Sequence, residues 1–278
     1  MMKLNGITTS FKCLDDAIGG WQNSDFILIV GEANIGKSSF AISVAKRLSV
    51  DQNIPVAYFS LRMNREQLVT RLISNACDIE SSKIRDCQLK DDEKMSVQTY
   101  IKILDDSPLF IDDNPDLSLN EFEAKVRNLS SNKGIKLVIV DYLSLMTTEP
   151  VVFHDRKEEL VYIANTIKKI AEEINIPIIL LSHFRHITSS PLEMGYDSIR
   201  SHVSDLRLYF GPIDEKADVV AFIHRPEYHN IFKAPNGCDL RNKVEIIIAK
   251  NHQQEPNIVL MNFCGKYSKM QDLDTGLL

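Results

Sequence analysis

Short β-branched runs punctuate this chain: FILIV (26–30), VAYFS (56–60), LFI (109–111), LVIV (137–140), IILLS (178–182), VVAFI (219–223) and VEIIIA (244–249), with helical patterns between them. Runs apolar along their whole length suit strands buried on both faces. Their alternation with helices predicts an α/β fold with a mostly parallel central sheet flanked by helices. The 278 residues are enough for one large domain spanning 1–278. Past Val219 strands follow one another directly, and IVLMNF (258–263), Cys264-Gly265 and KYSKM predict an antiparallel C-terminal edge. Asn64 before Gln67, and Ser118 before Glu121, stand at capping-box spacing and predict helix starts. Between Lys157 and Asn175, Leu160, Ile163, Ala164, Ile167 and Ala171 recur at helical spacing, and Pro177 marks the exit. The segment from Phe184 to Pro212, which carries Pro191, Gly195 and Gly211, reads as a long loop with a functional role.

The sequence GEANIGKS follows the first apolar run and precedes AISVAKRL, a good helix pattern. Gly31, Gly36, Lys37 and Ser38 occupy the fixed positions of a phosphate-binding loop, G-x-x-x-x-G-K-[ST]. In a strand–loop–helix setting, backbone N–H groups and the helix N-terminus cradle phosphates. The expected nucleotide-binding residues are Gly31, Glu32, Ala33, Asn34, Ile35, Gly36, Lys37, Ser38 and Ser39. Lys37 is expected to neutralise the β- and γ-phosphates of ATP, and the Ser38 hydroxyl to ligate Mg²⁺. The metal calls for an acidic partner at the end of a neighbouring apolar strand, and Asp141 closes LVIVD.

Charge narrows the partners. There are 32 basic and 38 acidic residues, a net of −6, so any nucleic-acid contact must be local. Cys13, Cys77, Cys87, Cys238 and Cys264 are scattered without a C-x-x-C pair, which suggests neither a zinc site nor a disulfide framework and fits a reducing, cytoplasmic setting. MMKLNGITTS has no apolar segment of signal-peptide length, and no run approaches the roughly 18 apolar residues of a membrane span.

Taken in order and spacing, "GITTSFKCLDDAIGGWQNSDFILIVG", "KIRDCQL", "VDYLSLM" and "KVEIIIAKN" resemble the ATPase domain of hexameric replicative DNA helicases of the DnaB type, from about Gly6 to about Met270. The resemblance implies a RecA-like motor that forms a homo-oligomeric ring, a hexamer in the family. Nucleotide would bind between subunits, single-stranded DNA would pass through the centre, and replication proteins would be partners. It also implies that the family's amino-terminal helical domain is absent, leaving a solitary motor domain or a shortened form.

Four positions depart from the family pattern. Arg62 in SLRM stands where the family has a water-activating Glu, and a guanidinium cannot accept a proton at neutral pH. The family's K-x-R finger segment reads Lys250, Asn251, His252, with Lys250 left to carry part of the charge. The γ-phosphate sensor, usually Gln, is His183, which can still donate a hydrogen bond. Ser10 stands where the family prefers Gly. The resemblance thus assigns catalytic roles to Lys37, Asp141, His183, Lys250 and His252, and places DNA-facing loops over about 184–206. There Arg185, Arg200 and the adjacent Arg207 are balanced by Glu193, Asp197 and Asp205, which implies weak DNA contact per subunit and reliance on multivalency.

The remaining features have plain interpretations. His183 and His186 form an H-x-x-H pair with no third ligand nearby, and Asp112, Asp113 and Asp116 miss calcium-loop spacing and suit a solvated loop. Trp21 is expected to pack beside the nucleotide strand, and Tyr228 or Tyr267 to stack on a base or pack at a rim. Two functions compete: an ATP-driven motor on single-stranded DNA in replication, and a catalytically weakened paralogue in which ATP stabilises an assembly. A strand-exchange protein or helicase loader shares the fold but should lack KIRDCQL and VDYLSLM.

Overall fold

A computed structural model describes residues 6–148, 153–184, 203–252 and 255–273. Its sheet comprises β1 (Phe26–Glu32), β2 (Val56–Ser60), β3 (Leu109–Asp112), β4 (Leu137–Asp141), β5 (Ile178–Phe184), β6 (Val219–His224), β7 (Lys243–Asn251), β8 (Asn257–Cys264) and β9 (Lys269–Gln271). The order is β3-β2-β4-β5-β1-β6-β7-β8-β9. Neighbours from β3 to β6 pair in parallel, and β7, β8 and β9 add on antiparallel, as the apolar runs predict.

Alternation along the strands builds two cores. Ile27 and Ile29 of β1 face one side, together with α2 (Lys37–Lys46), α3 (Arg65–Cys77) and α5 (Asp91–Asp106) through Phe40, Val44, Leu68, Leu72 and Tyr100. Phe26, Leu28 and Val30 face the other, against α6 (Leu119–Lys133), α7 (Arg156–Ile174) and α8 (Val203–Phe210) through Phe122, Val126, Ile163, Ile167 and Leu206. Each such side chain contributes about 1.5–3 kcal/mol on burial, which pins strand register to the period of two. Two short helices, α1 (Lys12–Ile18) and α4 (Ser81–Arg85), complete the set named here.

The caps form as their spacing predicts. Asn64 accepts from the Gln67 N–H, and Ser118 and Glu121 make a reciprocal capping box. Trp21 is buried in the same cluster as Ile27 and Ile29. Ser10 takes φ 68, in the left-handed region, which accounts for a preference for Gly there. The expected long loop from 184 to 212 is corrected in part: Val203–Phe210 is helical, with Leu206 and Phe210 buried against the sheet, while 185–202 lie outside the described residues.

Candidate functional site

Because β2, β4, β5 and β1 lie side by side and run parallel, their carboxyl ends meet along one edge of the sheet. There β1 passes into the turn before α2. A Cβ on Gly31 would sit 2.7 Å from the Ile223 carbonyl oxygen, and Gly36 has φ 121 with the Phe263 ring 3.2 Å from where its Cβ would be. Both positions therefore need glycine, for close approach in one case and backbone conformation in the other. Of the loop residues expected to bind nucleotide, Ala33, Asn34, Gly36, Lys37, Ser38 and Ser39 line a cavity of about 1020 Å³. The side chains of Glu32 and Ile35 go elsewhere: the Glu32 carboxylate lies 3.0 Å from His229 Nε2, and Ile35 is packed in the core.

Lys37 is only 8% exposed, and its Nζ donates to the carbonyls of Gly31 at 2.8 Å and Glu32 at 2.6 Å. Burial lowers its pKa to about 8, against the pull of Asp141. Asp141, buried at the end of β4, accepts hydrogen bonds from the Ser38 and Tyr58 hydroxyls, the latter at 3.0 Å to Oδ2. Burial raises its carboxyl above the usual range, and the hydroxyls, Lys37 and Arg62 oppose that rise. A hydroxyl beside a carboxylate is a hard, all-oxygen donor pair that fits Mg²⁺ and would hold it against the terminal phosphates.

Tyr58 is fully buried one strand away, and its phenol is held protonated well above its ordinary range by burial and by Asp141. Removing that donor with Tyr58→Phe leaves Asp141 one charge-assisted hydrogen bond short. We expect the Mg²⁺ concentration that half-saturates nucleotide binding to rise about tenfold with the fold intact, read by Mg²⁺ titration.

His183 lies on β5 in register with Gly31. Its ring meets the Tyr142 ring edge-on at 4.6 Å, and burial, then Lys37 and Arg62, lower its pKa. It is therefore held neutral, with one N–H to give to a phosphate oxygen. Arg62 follows directly on the β2 edge, because the Leu61 N–H donates to the Asp141 carbonyl at 2.8 Å. Lys37, Arg62, Arg71, Arg85, Arg225 and Lys266 line the cavity against the carboxylates Glu66, Glu80 and Asp141, so it favours a polyanion.

No motif signals Arg225 and Phe263, which the fold brings to this cavity from β6's exit and β8. The guanidinium lies 4.4 Å from the Phe263 ring centre, a flat cation-over-ring arrangement at the phosphate loop. Tyr228 and Tyr267, expected either to stack on a base or to pack at a rim, do not line the cavity; Tyr228 is exposed beside Arg225, and Tyr267 packs under Lys266.

Lys250 and His252 lie at the opposite edge of the sheet, since β7 runs antiparallel to β6 and ends beside its start. Lys250 Nζ donates to the Asp214 carbonyl at 3.0 Å, and His252 Nε2 lies 3.4 Å from Asp25 Oδ2. Asp25, Asp218 and His252 cluster there, and burial pushes the Asp25 carboxyl up to about 6. These groups lie at the end of the sheet away from the chain's own phosphate loop. Arg207 is engaged by Asp214, with Nε at 2.9 Å and Nη2 at 2.7 Å. Arg185, Arg200 and His186 lie outside the described residues. Asp112 pairs with Lys125, and Asp113 accepts from the Arg65 N–H, so neither is free for calcium. Among the described residues no helix is long and apolar enough to cross a membrane.

A family model for the DnaB-like helicase C-terminal domain matches residues 6–272. The replicative DNA helicase DnaB of Geobacillus stearothermophilus is 30% identical over 98% of this chain and 58% of its own length. A probable replicative DNA helicase of Trieres chinensis is 33% identical over 97% of this chain and 58% of its own. This chain thus spans under three fifths of these relatives. Among solved structures, one of an ATPase domain superposes with a TM-score of 0.84 at 28% identity, covering 98% of this chain and 93% of that one. A DnaB-like replicative helicase studied for its interactions with primase gives 0.84 at 27%, covering 63% of that chain. The parallel sheet with its antiparallel edge is therefore a RecA-like helicase fold, and the chain belongs to the DnaB-like helicase C-terminal domain family.

Proposed function

We propose that this chain is an ATP-driven motor module that works as a ring, a hexamer as in its family, on single-stranded DNA during replication. The observation that carries this is the convergence of Lys37, Ser38, Asp141 and His183 at one strand edge, with Lys250 and His252 at the far edge where a neighbour's site would lie. In this reading the loop N–H groups and Lys37 hold the phosphates of ATP, and the Arg225–Phe263 pair offers a flat face for the base. Ser38 and Asp141 hold Mg²⁺, which neutralises charge on the terminal phosphates. His183 donates its N–H to the γ-phosphate. With Arg62 unable to take a proton, orienting and deprotonating the attacking water falls to Glu66 or Glu80, the other carboxylates lining the cavity. DNA contact is weak in each subunit and multiplied around the ring. A primase-like partner fits the relative whose structure was studied with primase.

A second reading, a nucleotide-held scaffold with slow turnover, is favoured by Arg62 and His252 alone. Steady-state ATP hydrolysis with and without single-stranded DNA separates the two. We expect turnover that rises several-fold with DNA. Tight nucleotide binding with no turnover in either condition would reject the motor and leave the scaffold.

A further inference from the structure

Arg62 is what the site leaves unexplained. It is exposed, it lines the cavity beside Lys37, Asp141 and His183, and among the described residues no carboxylate pairs with it. Several other exposed arginines do find one: Arg85 with Asp86, Arg127 with Glu123, Arg156 with Glu159 and Arg241 with Asp239, while exposed Arg65 rests on the Ile111 carbonyl. An arginine that no carboxylate pairs with, in a cavity whose cations outnumber its carboxylates, is poised for an anion from solution.

Its position says which part of that anion. Ser60 is in register with Asp141, and the Leu61 N–H is bonded to the Asp141 carbonyl, so the next residue is anchored at the Mg²⁺-binding corner. A polyphosphate held by the phosphate loop would have its inner phosphates on the β1 side. A guanidinium arriving from β2, two strands beyond β5, would then meet the outer end of that chain. Arg62 also acts electrostatically on Lys37, Asp141 and His183, the groups that surround that end.

Resting on the nucleotide-binding reading above, we propose that Arg62 is a specificity residue that grips the terminal phosphate, so that the chain retains nucleoside triphosphates and releases diphosphates. The position that cannot supply a base instead supplies a charge-assisted clamp from within the same subunit. ATP occupancy and release of ADP would then be set in cis, with no demand on a neighbouring subunit.

The test is the ratio of ADP to ATPγS dissociation constants, measured with Mg²⁺ on the full chain as wild type, Arg62→Ala and Arg62→Lys. We expect Arg62→Ala to lose about 10- to 100-fold of the triphosphate preference through weaker ATPγS binding, with ADP affinity within about twofold of wild type. Arg62→Lys should keep part of the preference, since lysine retains charge without the fork. An unchanged ratio in Arg62→Ala, with both nucleotides still binding, would overturn the clamp alone. Equal weakening of both would also overturn it, marking Arg62 as a general attractor. Failure of the wild type to bind either nucleotide would reject the nucleotide-binding reading and the clamp with it. Because the side chain is exposed, loss of fold is not expected, and an unshifted melting midpoint verifies that.

Discussion

Lys37→Ala should weaken ATP binding by at least about 100-fold while leaving the empty chain as stable as wild type or more so. The two effects have opposite signs because the amine is buried for a partner it meets only on binding. In the free site, Nζ rests on the carbonyls of Gly31 and Glu32, and burial lowers its pKa to about 8. A lysine at 10.5 in the unfolded chain and about 8 in the folded one binds more protons unfolded between those values. Stability therefore rises as pH climbs from 8 to 10.5, and the burial penalty is fully present below 8. Removing the amine lifts that penalty at pH 7, on the order of 1–3 kcal/mol after the lost carbonyl contacts are counted. Bound phosphate does the reverse and restores the proton. Wild-type affinity should thus fall as pH rises through about 8, with proton uptake on binding, and Lys37→Ala should show neither. Calorimetry in two buffers of different ionisation heat checks both; a pH-independent wild-type affinity between 7 and 9 would contradict the assignment.

Much of this is readable from residues alone, for reasons that differ by element. The parallel strands are apolar on both faces, so FILIV and LVIV announce themselves, and the phosphate loop is legible because Gly31 and Gly36 meet backbone demands that only glycine satisfies. Asp141 follows from the logic that a metal needs an acid on a neighbouring strand. What stays hidden depends on strand order, which periodicity does not encode. Phe263 lies 227 residues after Gly36 and covers it only because β6 to β9 extend the sheet past β1. Tyr58 looks like any strand aromatic until β2 is set beside β4 and its hydroxyl meets Asp141. Arg207 looks available to DNA, yet Asp214 lies seven residues on and the turn after α8 folds it back. Asp25 and Asp218, which precede β1 and β6, become neighbours of His252 for the same topological reason.

Restoring the groups that the family resemblance implies should speed hydrolysis, and unequally. Arg62→Glu puts a carboxylate beside Asp141 at the β2 edge; a positioned general base is worth about 10²- to 10⁴-fold. The same change removes the proposed clamp, so kcat should rise while the KM for ATP rises with it. His252→Arg faces a competitor, because the new guanidinium would emerge against Asp25 and Asp218, whose carboxylates lie within 4.8 Å of the histidine's ligand atom. Asp25 is buried with its carboxyl pushed up to about 6, so a permanent cation beside it stabilises the subunit and holds the arginine in cis. His252→Arg alone should therefore raise the melting midpoint at pH 7.5 and add little to the rate. Combined with Asp25→Asn, it frees the arginine to reach a neighbour, and turnover with Arg62→Glu should then exceed that of Arg62→Glu alone by about tenfold or more in assembled protein. If Arg62→Glu leaves kcat unchanged, water activation does not pass through the β2 edge. If Asp25→Asn adds nothing to the His252→Arg background, the far edge of the sheet does not face a neighbour's phosphates.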